Sequence, residues 1–465
     1  MANVYINPQA ASNGVGSVLD PMNVWPDAAT FVAGNKYLQI EGSTWFGHNG
    51  NALYNILVSA SGAAGVPITL GTYEAQTGNH ITDGSRRARI DGTGRSMAVR
   101  VTQRSWVDVI GLDLWCTGTD TQVARAAYFG NSASQPASNC RLINCRIVGI
   151  PDSGNGDDNA IQVFGNNCVV RGCIIDDIAD DGIWLQGNDN IIEHNSISRV
   201  GQSSATTGDG IQVFGDATLG VSRNIIRHND IEHSDREEKQ CIIVQGLSAT
   251  SQGALVYGNR LIHFRGGSAS IIALYIELQD VIAFGNLVEG GYYGILTGKT
   301  VNGDGDRAKI FGNVVIGSKY GIDQGSTCVG GKIIGNTIVD TTVYGIYADN
   351  DTTIDVRNNI ICGGAAGIGL EAGATEDYNC IYGISGNAIT SLGGGARTLG
   401  ANSITSDPLL TSDYRLSELS PCRGAGIFIP GAKHMGGQSM NPGTPDIGAY
   451  RYREPARPVL FRAVA

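Results

Sequence analysis

The sequence predicts an all-β solenoid in which short parallel strands stack coil on coil. Three observations carry that fold class. A heptad recurs as NAIQVFG from Asn159, DGIWLQG from Asp181 and DGIQVFG from Asp209, with starts 22 and 28 residues apart; self-similarity at a near-fixed period marks a repeat architecture. A second column, an Asn ahead of an apolar or β-branched pair, runs through Asn144, Asn195, Asn229, Asn259, Asn286, Asn313, Asn336 and Asn359, with Gly172 as an exception. Its spacings are 28, 23, 34, 30, 27, 27, 23 and 23, so 23 is the bare coil and the longer steps carry loops. The intervening segments lack a 3.6-residue apolar period. Glycine, at 66 of 465 residues, is about double its usual share and favours tight turns over helices.

Taken in order, residues 1–100 form an N-terminal capping region of weak period, with strand-like runs at Lys36–Ile40, Tyr54–Val58 and Pro67–Tyr73. Residues 101–375 form the core of repeating coils. Gly-Ile turn-strands follow most of the column Asn residues, at Gly182, Gly210, Gly294, Gly321, Gly345 and Gly367. An Asn at the same tight turn of each coil tolerates the left-handed conformation and can hydrogen-bond to its neighbour's backbone. Long loops at 149–158, 199–208 and 233–240 all flank the heptads, and insertions on one side of a solenoid usually build its binding face. From about Ala374 the period fades, and residues 376–465 read as a closing segment and tail, since a solenoid needs its open end covered.

Whole-chain properties exclude several functions. The net charge of −11 argues against a nucleic-acid surface, which needs clustered Lys and Arg. No run of about 18 apolar residues is available to span or insert into a membrane. The N-terminal stretch has neither a basic nor an apolar signal region, so synthesis in a bacterial-type cytoplasm is expected, with the ten cysteines as thiols. Cys140 and Cys168, and likewise Cys145 and Cys173, stand 28 apart, as stacked core positions one coil apart would. No CxxC pair suggests structural zinc.

Three constellations carry chemistry. Taking Ile161, Ile183 and Ile211 as inward, alternation turns Gln162, Phe164, Trp184, Gln186, Gln212 and Phe214 outward; Gln245 extends the stripe, followed by Tyr275, Glu277, Asp323 and Tyr347. Rings and amides in a row suit the apolar faces and hydroxyl rims of sugars; the competing explanation is a protein interface. Asp158, Asp181 and Asp209, with Asp157, Asp176, Asp177 and Asp180 near them, precede the heptad strands. Stacked carboxylates could work as the acid pair of glycoside hydrolysis, although Asp before Gly is equally a turn residue. His233 heads a loop containing Glu237 and Lys239, with His263 in its column and His194 and His228 sharing another. Such groups suit a lyase, which must neutralise a uronate and remove its C5 proton; a solvated mixed-charge loop is the alternative. No cofactor is expected. The stretch from Asn302 to Asp306 resembles half a calcium loop, but Arg307 follows and no closing Glu is present.

The runs YLQIEGSTWFG and GVPITLGTY, the asparagine column and the segments 406–426 and 445–452 resemble right-handed, single-stranded parallel β-helix proteins of the pectate-lyase-like family, most of all phage tailspikes and polysaccharide depolymerases. The resemblance covers roughly residues 90–380. It implies a bacterial capsule, O-antigen or exopolysaccharide as ligand, a homotrimer attached to phage tail or baseplate components, and a place on the virion. It leaves open a lyase or hydrolase activity, a non-enzymatic receptor-binding tail protein, or a free extracellular polysaccharide lyase. The acid motifs of polygalacturonases and the signatures of alginate and chondroitin lyases are absent, so no catalytic residue carries over by motif.

Overall fold

Each full coil places three short strands in succession, and each strand pairs in parallel with its counterpart one coil away. The computed structural model describes residues 2–50, 52–119, 122–132, 135–154, 156–202, 208–215, 220–233, 240–246, 251–263, 271–298, 305–326, 328–394, 396–440 and 442–452. Among these there is no helix. Two compact units, Met1–Ile225 and Ile226–Ala465, divide the chain, and both have the right-handed parallel β-helix fold.

In the first unit one row of strands begins with Asn3–Ile6 and continues through Lys36–Ile40, Ile68–Tyr73, Val107–Ile110, Arg141–Ile143, Val169–Arg171 and Ile191–Glu193. A second contains Arg146–Ile150, Ile174–Ile178 and Ser196–Ser198. The third holds Tyr54–Val58, Met97–Val101, Arg125–Phe129, Ile161–Phe164, Ile183–Gln186 and Ile211–Gly215. Ile161, Val163, Ile183, Leu185, Ile211 and Val213 all fill the interior, as alternation requires. The heptads are therefore equivalent strands in register, Ile161 opposite Ile183 and Ile183 opposite Ile211.

The second unit repeats the plan. One row runs from Leu255–Tyr257 to Thr375–Asp377. Late in this unit the corner between the other two rows opens out, and Thr337–Ala348 and Ile360–Leu370 become single long strands with a register break between Thr341 and Tyr344. Residues 403–404 still continue the stack. The chain then runs back along the unit's flank, burying Leu416, Cys422, Ile429, Ala432, Met440 and Ile447 against outward apolar residues such as Phe311, Ile334 and Ile360.

The asparagine column proves to be two adjacent columns. Asn144, Gly172 and His194 in the first unit, and His228, Gly258, Gly285, Gly312, Gly335 and Asn358 in the second, occupy the left-handed position. The residue after each points inward: Cys145, Cys173 and Asn195, then Asn229 onward. Of the column residues the expected left-handed Asn thus holds at Asn144 alone; elsewhere the column Asn is the buried residue beyond the turn, as Asn359 is after the left-handed Asn358, and Gly172 belongs with Asn144 rather than with Asn195. In the second unit each inward Asn takes the N–H of the previous one: Asn259 to Asn286 (3.1 Å), Asn286 to Asn313 (3.0 Å), Asn313 to Asn336 (2.9 Å) and Asn336 to Asn359 (2.9 Å). Their amides also donate to carbonyls of the preceding coil, as Asn313 does to Ala283. The ladder satisfies backbone groups that a buried corner would otherwise leave unpaired. The ten cysteines are free; Cys140 and Cys168 stack one coil apart, as do Cys145 and Cys173.

Candidate functional site

The third row of the first unit presents a ladder of rings. Tyr128, Phe164, Trp184 and Phe214 follow one another with centroid separations of 6.0, 4.9 and 6.2 Å. Phe164, Trp184 and Phe214 are half-buried, leaving edges and faces available to solvent. Strand register places Tyr128, Gln162, Trp184 and Gln212 on consecutive coils. The row ends in cations. The Arg100 guanidinium lies 4.4 Å from the Tyr128 ring centroid and 5.1 Å from that of Tyr54, and Arg125 lies 5.1 Å from Tyr128. Arg125 also meets the exposed Asp157 carboxylate at 3.9 Å. Burial, the larger influence, lowers the Arg125 pKa from its usual value, but a guanidinium remains charged at physiological pH. Two polar atoms here, Gln162 Oε1 and Arg125 Nε, are buried with no hydrogen-bond partner, so each has capacity for a further donor or acceptor, water included.

The amides differ from the outward set expected of them. Gln212 is half-buried, but Gln162 is covered and Gln186 is only 1% exposed. Alternation fixes the direction of a side chain, whereas neighbouring coils and loops decide whether it reaches water.

The acids are buried at the head of the heptad strands. Asp158 accepts from the Ala124 N–H at 2.5 Å, the Ser153 N–H at 2.7 Å and the Ser153 hydroxyl at 2.8 Å, closing the loop before its strand. Asp181, 4% exposed, donates its N–H to Asn159 Oδ1 at 3.0 Å and accepts the Asp209 N–H on Oδ1 at 2.7 Å. Asn159, Asp181 and Asp209 thus form a short ladder of their own. Burial first, then the Asp209 and Asp180 charges, push the Asp181 carboxyl well above the usual carboxylate range. Asp176 is engaged elsewhere, in an ion pair with Arg199. These contacts are those of turn residues; what they add chemically is a carboxyl that keeps its proton beside a second one.

In the second unit His233 and His263 face each other in register, rings stacked at 5.6 Å, and both are buried. Neither stands on a solvent-facing surface where a base would meet a polymer. Glu237 and Lys239 lie outside the described residues, as do residues 302–304 of the calcium-like loop; Asp306 accepts the Val329 N–H at 2.8 Å. Gln245 sits opposite Glu277. The continuation of the stripe into this unit holds a cluster that the sequence shows only in part: Tyr292, Tyr293, Tyr320, Tyr344 and Tyr347, with ring separations of 4.8 to 6.3 Å. Among the described residues no three His, Cys, Asp or Glu side chains converge to hold a metal.

Residues 247–406 match the family described as periplasmic copper-binding protein (NosD). That segment contains no Met, and its described residues offer no cluster of ligands, so they do not fit copper. No curated protein matches the chain. Solved structures do. A lacto-N-biosidase from Eubacterium ramulus aligns with 84% of this chain and 68% of its own at 12% identity and a TM-score of 0.50. An alginate lyase from Paenibacillus sp. str. FPU-7 aligns with 75% and 99% at 18% identity and a TM-score of 0.46. A mutant tailspike protein of E. coli bacteriophage HK620 aligns with 77% and 72% at 14% identity and a TM-score of 0.47. The chain has the parallel β-helix, pectate-lyase-like fold.

Proposed function

We propose that this chain acts on a bacterial surface polysaccharide, held along the Tyr128–Phe164–Trp184–Phe214 row of the first unit. The observation that carries the proposal is that row: three half-buried rings, Phe164, Trp184 and Phe214, at one-coil intervals, continued by the buried Tyr128 ring and ending in Arg100 and Arg125. Coils repeat at about 4.8 Å, so consecutive rings track a polymer lying across the strands and cover successive sugar faces. Arg125 beside Tyr128 meets a carboxylate or hydroxyl rim at one end. The finer identity proposed is tailspike-like: a homotrimer borne on the outside of a virion, with a capsule, O-antigen or exopolysaccharide as ligand. An extracellular or periplasmic polysaccharide-acting protein is the broader form of the same proposal. The fold is one that a lacto-N-biosidase also has.

A second reading, that bound glycan is also cut, is favoured by Asp181. Burial and the Asp209 charge raise its pKa, the direction a general acid needs; at 4% exposed, the carboxyl meets glycan only if the turn ahead of its strand opens. Incubation with a panel of bacterial polysaccharides separates the readings. Retention without shortening supports binding alone. Shortening with new near-UV absorbance means elimination; shortening without it means hydrolysis, and Asp181→Asn must then abolish turnover while sparing binding. Absence of both retention and shortening across the panel would remove the proposal.

A further inference from the structure

The closing segment of the second unit forms an open cleft of about 320 Å3, lined by Arg423, His434, Thr444, Asp446, Arg451 and Tyr452, among others. Its volume lies at the small end of ligand sites and equals that of about ten waters. His434 is the feature that demands a reason. The residue is 1% exposed, and neither Nδ1 nor Nε2 meets a partner in good hydrogen-bond geometry; the Ala449 backbone makes only a loose contact with the ring. An imidazole buried without partners loses its hydration and gains nothing in return. Burial is the main cause that lowers its pKa; Arg451 acts in the same direction, while Asp446 and the neighbouring Ala449 carbonyl oppose. The ring is therefore neutral at neutral pH and offers one donor and one acceptor.

The charged groups around it are unevenly committed. Asp446 spends both carboxylate oxygens on backbone, accepting from the Gly424 N–H and the Tyr452 N–H at 2.7 Å each. The Arg423 guanidinium stacks 3.7 Å from the Tyr452 ring centroid and donates to the Glu418 carbonyl, which leaves other donors of its fork available. Arg451 is exposed and has no ion-pair partner among the described residues. Two guanidiniums against one engaged carboxylate make a donor-rich cleft with a cationic excess. An oxyanion alone would fill only part of the volume.

We propose that this cleft binds a single acidic monosaccharide, its carboxylate held by Arg423 and Arg451 and a ring hydroxyl paired with the His434 imidazole. The site is independent of the ring row in the first unit. Titration calorimetry of the full chain at pH 7 with D-glucuronate tests it, with glucose as the uncharged counterpart and inorganic phosphate as the bare oxyanion. Saturable glucuronate binding is expected, weakened at least tenfold by Arg451→Gln and by Arg423→Gln, with a shift of the His434 ring resonances on saturation and no response to glucose. Arg451→Gln removes an exposed side chain that makes no ion pair with the described residues, so its fold is retained even if Arg423→Gln loosens the segment. Absence of glucuronate binding, or undiminished binding by Arg451→Gln, overturns the site. Phosphate binding as tight as glucuronate overturns the sugar and leaves an oxyanion cleft.

Discussion

Replacing Asp181 by Asn tests whether the carboxyl is a ladder member held protonated by its surroundings. One coil earlier the same position is Asn159, whose Oδ1 accepts the Asp181 N–H at 3.0 Å, as Asp181 Oδ1 accepts the Asp209 N–H at 2.7 Å. Asn at 181 keeps that acceptor, whereas Ala takes the buried acceptor away, a loss of about 1–3 kcal/mol. The pH dependence follows from linkage. The folded-state carboxyl has a raised pKa, and the unfolded one titrates near about 3.9. Below the unfolded value both states hold the proton and the contribution is fully present. As pH rises above it the unfolded chain releases its proton while the folded chain keeps it. Stability is therefore lost at up to about 1.4 kcal/mol per pH unit until the folded pKa is passed. Asn has no proton to hold, so the stability of Asp181→Asn minus wild type grows from near zero at about pH 3.5 to roughly 1.4 kcal/mol one unit above the unfolded pKa. Titrating groups remote from Asp181 cancel in that difference, and what remains belongs to Asp181 together with Asp209 and Asp180, whose charges act on it. Urea unfolding followed by tryptophan fluorescence between pH 3.5 and 7 measures it. A difference independent of pH, or an Asn variant as weak as the Ala variant, would refute the reasoning.

Three further outcomes are expected. Asn313→Ala removes the acceptor of the Asn286 N–H and the donor to the Ala283 carbonyl, both buried; a drop of about 2–4 kcal/mol in urea unfolding is expected. Gly285→Ala puts a side chain on a residue with φ of 64° and a Cβ 2.3 Å from the Met435 carbonyl oxygen; the closing segment around residues 427–440 should be cut sooner in limited proteolysis, with the sites read by mass spectrometry. Burial pushes the Cys145 thiol up to about 11 and the Cys116 thiol up to about 12, so both should resist a thiol-reactive dye at pH 9 in the folded protein and react at once in urea.

The parts of this fold that repeat were legible, and the parts set by neighbours were not. Lys36–Ile40 and Tyr54–Val58 are strands at the predicted bounds, because alternation between glycine-rich turns is local information. In the sequence the asparagine column merges with the left-handed column beside it, since Asn suits both positions and only stacking separates Asn144 from Asn195. Tyr128, Arg100 and Arg125 were missed. Their coils carry no Gly-Ile start, and only register brings Tyr128 opposite Gln162. Their signal was the aromatic at the same alternation in RAAYF. Burial of Asp158, Asp181 and Gln186 depends on the adjoining coils, which the residues themselves do not encode. The flank course of the closing segment was hidden for a related reason: its apolar residues have no period, and their partners lie on coils far back in the chain.

The central claim is that the ring row of the first unit holds a polysaccharide. It is tested most directly by comparing wild type and Trp184→Ala for retention on immobilised bacterial surface polysaccharides, with urea unfolding run alongside. Trp184 makes ring contacts with both Phe164 and Phe214, so its loss should weaken binding roughly tenfold or more, about 1.4 kcal/mol, while the fold survives. Equal retention by the two proteins on a glycan that wild type binds would contradict the claim.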